Sequence, residues 1–338
     1  MKKIVAVSSF LSRNLTLVII LTTLIALVIP EIFLPVAGVK IYNLSVPNLL
    51  LAVIMFGTGM SIKFKDIIEI FKRPRNVLLG VTGKFIFMAL GGYLVAKILG
   101  LDNQLAFGLV LLGTMPPGTA ASVIVLIAGG EVAFAVAITV ISTLIAPVLT
   151  PVLTFLLGGE WVQVDFISMF LNIVIVVLIP VILGMIVRSI FKDKCDTYKS
   201  VVGLISTLSL ILIVAVSTAP NKNVILSISS IIVILAVTLC FFIAVIGAFL
   251  LAKVLKLDRK QTLALLVVSS EQNSGLSVGI AAAFSDIYPM AAIPSIIAVS
   301  LNVTLATALA NILGNREKKH AKKNLDAVSH HSGAPRRT

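Results

Sequence analysis

Charge is scarce in this chain: only 12% of its 338 residues are Asp, Glu, Lys or Arg, against roughly 25% in soluble domains. Apolar residues make up 59% and the mean hydropathy is +1.13. No soluble core absorbs that excess, so the class is an integral membrane protein. Cysteine is also scarce. Cys195 and Cys240 are the only two, one in a predicted loop and one inside a predicted helix, which gives neither a disulfide framework nor a metal spacing. Histidine is confined to His320, His330 and His331 in a polar tail. An intramembrane enzyme built on a nucleophile and its base, or on a His-ligated metal, therefore lacks its residues. No Walker-type loop for ATP-driven pumping is present either.

What is present is a series of hydropathic runs, at about Leu15–Leu34, Val46–Ser61, Asn76–Ile98, Gln104–Ala128, Val132–Leu157, Phe166–Val187, Val201–Ala219, Val224–Leu251, Gln261–Phe284 and Met290–Leu313. Each is near the roughly 20 residues that a spanning helix needs. The expectation is an all-α protein of ten transmembrane helices. The net charge of +13 follows from their topology. Lys and Arg gather before helix one, between helices two and three, six and seven, and eight and nine, and in the tail, whereas Lys40, Lys97 and Lys222 alone lie on the other side. This asymmetry places both termini in the cytoplasm and leaves no basic surplus that calls for nucleic acid. The N-terminal segment is expected to be retained, because Arg13 interrupts it and Leu15–Leu34 is too long for a signal-peptide core.

Within that apolar frame, one stretch stands out: Ser269-Ser270-Glu271-Gln272-Asn273-Ser274-Gly275. It places a carboxylate and two amides in the middle of a spanning run, which is costly unless the groups line a cavity or meet partners. Gly275 and its polar neighbours suit a local helix break whose freed backbone groups coordinate an ion or solute. Helix four is broken in a similar way at Thr114-Met115-Pro116-Pro117-Gly118-Thr119, where two prolines remove two donors. The second half-helix then starts with its amides toward the midplane, where they attract anions. The two breaks lie about 155 residues apart, as do the starts of helices one and six, and five helices per half makes the second half inverted. This layout predicts domains at 1–14 (cytoplasmic N-terminus), 15–157 and 158–314 (the two repeats) and 315–338 (a basic disordered tail). Helices six, seven and eight read as scaffold. The hydroxyls of helix five, Thr139 excepted, read as bonded back to their own helix.

Lys84 is the other costly residue. About nine residues in from Asn76, it lies near the midplane, out of easy snorkelling range. Either it is a packing charge or it belongs to the site, and the second is the stronger expectation.

Taken together, Gly113-Thr114-Met115-Pro116-Pro117-Gly118-Thr119-Ala120, the helix-five run from Ala137 through Thr139 and Pro147 to Pro151, and Gln272-Asn273-Ser274-Gly275-Leu276 resemble the bile acid:sodium symporter family. Phe71-Lys72-Arg73-Pro74 fits as well, and the resemblance covers essentially the whole chain. It implies a panel of helices one, two, six and seven and a core in which broken helices four and nine cross. It further implies sodium-driven uptake of an organic anion, either a bile-acid-like amphiphile or a small carboxylate, by alternating access. Thr114, Pro117, Gly118, Thr119, Asn273 and Ser274 are the implied substrate residues. Ser122, Thr139, Ser269, Glu271 and Gln272 are the implied sodium ligands. No organic cofactor and no obligate protein partner is implied, sodium being the coupling ion and the bilayer the surroundings. The expected location is a bacterial inner membrane, since no plastid transit peptide is visible.

The chain departs from the family pattern at its ion residues. A Ser-Asn pair after helix four is replaced by Ala121 and Ser122, and a helix-five serine by Ala135. The glutamate four residues before Gln272 is Val268, and an acid stands instead at Glu271. A helix-three glutamine is Lys84. The sequence expectation is that Lys84 occupies a cation position and pairs with Glu271, weakening sodium dependence or replacing it by proton coupling. The alternative is that Glu271 takes over the displaced glutamate's place and sodium still binds. A passive channel is the remaining rival, and it would need a file of polar groups rather than one midplane cluster.

Overall fold

A computed structural model describes residues 2–41, 44–62, 68, 74–118, 120–163, 165–192, 194–227 and 229–331, with the side chains of 2–4, 9, 12, 13, 196, 199, 229 and 315–331 excepted. It is all-helical apart from a two-residue hairpin. The helices of eight residues or more are α1 Lys2–Arg13, α2 Leu15–Val28, α3 Val46–Ser61, α4 Pro74–Leu99, α5 Asn103–Gly113, α6 Ala121–Ala128, α7 Val132–Gly158, α8 Phe166–Ile173, α9 Ile179–Phe191, α10 Lys194–Thr218, α11 Ser229–Val254, α12 Arg259–Ser270, α13 Ser274–Ala283 and α14 Ile293–His331. Strands β1 Lys40–Ile41 and β2 Leu44–Ser45 pair antiparallel. Among the described residues, six helical stretches are long and apolar enough to cross a membrane, and α2, α3, α5 and α13 are shorter apolar helices. The chain is a multi-pass membrane protein.

Several boundaries differ from the sequence expectation. The first run stops at Val28, because Pro30 starts a 3-10 turn instead of continuing the helix. The sixth run passes through a π-helical stretch at Val174–Leu178 between α8 and α9. Lys2–Arg13, assigned only as a leading segment, forms α1, and Asn14 separates it from α2 by bonding back from Nδ2 to Phe10 O at 2.9 Å. The last helix is bounded at His331 rather than ending near Leu313. Asn315 to His331 contains no Pro or Gly to stop it. Of the predicted tail, 315–331 continue this helix and 332–338 lie outside the described residues.

Packing separates the helices into two groups. In one, α3 packs against α9 and α10, and α10 against α2. The approach of α3 to its neighbours depends on missing side chains: against α9, a Cβ on Gly184 would lie 3.0 Å from Gly59 Cα, and against α10, one on Gly57 would lie 2.8 Å from Ser206 Oγ. Such small-residue seams let helices pack where lipid gives no hydrophobic drive. In the other group, α4 packs against α5, α7 and α11, α11 against α12 and α14, and α6 against α14. α13 bridges to the first group through α3 and α10.

Candidate functional site

α5 and α6 are the halves of the fourth predicted span, and α12 and α13 the halves of the ninth. At about 1.5 Å per residue, none of the four crosses a hydrocarbon core of about 30 Å alone. Their breaks meet. Pro117 and Gln272 form an antiparallel bridge, and Asn273 N donates to Pro116 O at 2.8 Å. Backbone freed by one break is thereby satisfied by the other, as the membrane interior demands.

Gly118 is the pivot of this arrangement. In an unbroken helix its N–H would serve Thr114 O, but here it donates to Glu271 Oε2 at 2.8 Å. Thr114 O is served instead by Thr150 Oγ1 at 2.8 Å, and Thr114 Oγ1 lies 3.2 Å from Thr154 Oγ1. This corrects the sequence expectation for helix five. Thr150 closes a bond between helices, because the proline break leaves a carbonyl that needs a donor. Thr139 donates back to Ala135 O at 2.9 Å, keeping only its lone pairs for a ligand.

On the other strand of the crossing, Gln272 Nε2 donates to Ser269 O at 3.2 Å and its Oε1 accepts from Asn302 Nδ2 at 2.7 Å. Asn273 Oδ1 caps α13 by accepting from Leu276 N at 3.0 Å. Ser274 Oγ donates to Gln272 O at 3.4 Å. Glu271, Gln272 and Ser269 are 3%, 2% and 1% exposed and Lys84 is 0% exposed. Ser122, in the first turn of α6, is half-buried. Thr119 lies outside the described residues.

Lys84 and Glu271 interact electrostatically. Yet among the described residues Lys84 Nζ has no hydrogen-bond partner, and the two form no ion pair within 4.0 Å. The ammonium lies 4.9 Å from the centroid of the Phe85 ring. The carboxylate is held by the Gly118 N–H instead. Ser269 Oγ, two residues before it, and Ser142 Oγ on α7, which packs on α12, are also buried without partners among the described residues. One carboxylate and unpartnered hydroxyl oxygens are hard donors of the kind an alkali cation takes. Lys84 is a second cation competing for the same negative charge.

The crossing also has an open side. A cavity of about 110 Å³ is lined by Leu15, Ile54, Ser206, Thr207 and Leu210 on one wall and by Asn273, Gly275 and Leu276 at the start of α13 on the other. Ser206 and Thr207 come from the seventh predicted span, read from sequence as scaffold, and they line this cavity. Asn302 was missed too, although an amide inside an apolar run was the available signal.

An all-helical membrane protein whose two broken helices cross at a buried polar cluster has the architecture of a secondary transporter. The family model for the sodium bile acid symporter family matches residues 48–228. A "sodium-dependent transporter" of Bacillus subtilis is 31% identical over 250 residues, 74% of this chain and 77% of that one. A "probable sodium/metabolite cotransporter" of the Arabidopsis thaliana chloroplast is 27% identical over 263 residues, 78% of this chain and 65% of that one. The "sodium/bile acid cotransporter 7-A" of Xenopus laevis is 29% identical over 208 residues, 60% of each chain. The chain belongs to the sodium bile acid symporter family: it is a transporter, not an enzyme.

Proposed function

We propose that this protein is a sodium-coupled symporter of a small organic anion, working by alternating access between a panel (α2, α3, α8 to α10) and a core built around the crossing. The observation that carries this reading is the mutual pairing of the two breaks, Pro117 with Gln272 and Asn273 with Pro116. That pairing fixes Glu271 behind the crossing and leaves the start of α13 facing the panel. The anion would meet Asn273, Ser274 and Gly118 on the core side, with Ser206 and Thr207 opposite. At about 30 Å³ per water in the liquid, a cavity of about 110 Å³ holds only a few heavy atoms. Size therefore favours a small carboxylate over a steroid-sized amphiphile in this conformation. Sodium, when bound, would supply positive charge beside Glu271; Ser269 and Ser142 are the hydroxyls free to join it, and Ser122, Thr139 and Gln272 remain the further candidates.

The test is thermal unfolding of the purified protein in sodium, potassium and choline chloride at matched ionic strength. A ligand of the native state raises the midpoint with its occupancy. Sodium is expected to raise it and potassium not to. Equal midpoints in all three salts would remove sodium coupling. A second reading is favoured by one observation, the fully buried and unpartnered ammonium of Lys84: the lysine stands where a sodium ion would, and coupling is to protons or absent. In that case sodium leaves the midpoint unmoved and a pH step moves it.

Alternating access makes a separate prediction. Lys40 of the β1 hairpin, on the panel side, forms an ion pair with Asp286, in the loop between α13 and α14 of the core. Both side chains are exposed, at 50% and 68%, so the pair contributes little stability. Its importance is that it joins two bodies that must separate. In the Lys40→Cys, Asp286→Cys double variant, oxidation is expected to slow uptake in proportion to the cross-linked fraction, and reductant to restore it. Unchanged uptake by fully cross-linked protein would rule out relative movement there.

A further inference from the structure

The ends of α11, α12 and α14 border an open groove of about 550 Å³ that has no part in the crossing, its walls formed by Phe249, Leu257, Leu263, Leu266 and Leu313. Arg259 and Thr262 line it as well. The Arg259 guanidinium makes no hydrogen bond or ion pair among the described residues. A second cation is near one of its wall residues: Lys253 Nζ lies 4.6 Å from the centroid of the Phe249 ring. Between them the chain reverses at Lys256, whose φ of 53° is a left-handed turn, and this brings Leu257 onto the groove. Lys253, Lys256, Arg259 and Lys260 are all exposed around this turn. The one acid among them, Asp258, caps α12 by accepting from Gln261 N at 2.9 Å.

We propose that this groove is a binding site for an anionic glycerophospholipid, with its phosphate between Arg259 and Lys253 and an acyl chain along the leucines. Topology alone accounts for basic residues at helix ends, but it does not call for an apolar groove of this volume beneath them. An open apolar groove with cations at its edge matches an amphiphile that carries both parts, and basic pockets between transmembrane helices are where anionic headgroups bind. The choice rests on charge and shape, and so does not depend on the coupling ion or on the transported anion. The site bears on transport through α12, which starts at the groove and ends beside Glu271. The base of α12 is also tied to α7, because Glu131 N donates to Lys260 O at 3.0 Å. A lipid seated there stabilises the helix that holds the carboxylate.

The experiment is native mass spectrometry and thermal unfolding of the full-length protein in nonionic detergent. It is titrated with phosphatidylglycerol, with phosphatidylcholine of the same chains, or with glycerol phosphate. Phosphatidylglycerol is expected to add one retained lipid and raise the midpoint, and the other two to do neither. Arg259→Gln with Lys253→Gln should weaken this binding about 30-fold, at the usual worth of two interfacial cations. Arg75→Gln, which removes an exposed cation at the start of α4, should leave it unchanged. Leu257→Trp fills the groove while keeping every charge and should also abolish the retained lipid, which keeps the test open if the double variant folds poorly. Equal retention of both lipids, an equal rise with glycerol phosphate, or the same loss in Arg75→Gln as in the double variant would each overturn the proposal.

Discussion

Gly118→Ala is expected to abolish transport while leaving a protein that still inserts and can be purified. A Cβ built on Gly118 would lie 2.5 Å from both carboxylate oxygens of Glu271, well inside van der Waals contact. The carboxylate cannot simply swing away, because it is buried and held by the Gly118 N–H at 2.8 Å. The alanine therefore displaces Glu271 and disturbs the bridge between Pro117 and Gln272 together. Overpacking of this kind costs about 1–3 kcal/mol, and loss of a hydrogen bond to a charged group adds about 1.5–3 kcal/mol. That is enough to distort the crossing without unfolding helices held by many other contacts. The measurement is uptake into proteoliposomes beside the unfolding midpoint. Near-normal uptake would show that the contact between Gly118 and Glu271 does not organise the site.

The second large effect concerns Lys84 and Glu271. Glu271→Gln leaves a fully buried ammonium with no hydrogen bond and without the carboxylate it interacts with, and an uncompensated buried charge costs about 3–5 kcal/mol. Lys84→Gln removes a charge that already lacks a hydrogen-bond partner, so it should cost far less. The double variant should recover most of the loss seen in Glu271→Gln alone. A coupling energy near zero in this cycle would mean that the two charges do not depend on each other. The same Lys84→Gln protein separates the coupling readings. With the competing cation gone, sodium is expected to stabilise it at concentrations about tenfold lower or more, by the Coulomb term between neighbouring cations. If Lys84 stands in for the ion, the variant instead acquires a sodium response that the parent lacks. An unchanged cation response in Lys84→Gln would place the lysine outside the ion site.

Both predictions concern residues that composition made visible, because bilayer chemistry is unforgiving. A carboxylate in a spanning run, a lysine near its middle and a pair of prolines are each expensive in hydrocarbon, so each stands out against leucine and valine. For the same reason the membrane class, the breaks near residues 117 and 273 and most helix bounds were legible before any fold was known. The site's partners were not. Thr150 and Asn302 matter because they face a freed carbonyl and a glutamine amide. In sequence each is one polar residue among others, and only the packing of α7 and α14 against the breaks shows which ones are needed. Ser206 and Thr207 were hidden for a similar reason, since their side of α10 meets the crossing only after the two groups of helices have packed.

The sequence by itself determined that this is a multi-pass membrane protein with two interrupted spans and a charged residue in each half, because lipid penalises polar groups one residue at a time. The tertiary structure alone decided where those charges go. Glu271 is tied to the Gly118 amide and Lys84 is left without a bond among the described residues, because which donor reaches which acceptor depends on how two breaks, with Gly118 and Glu271 153 residues apart, are brought across each other.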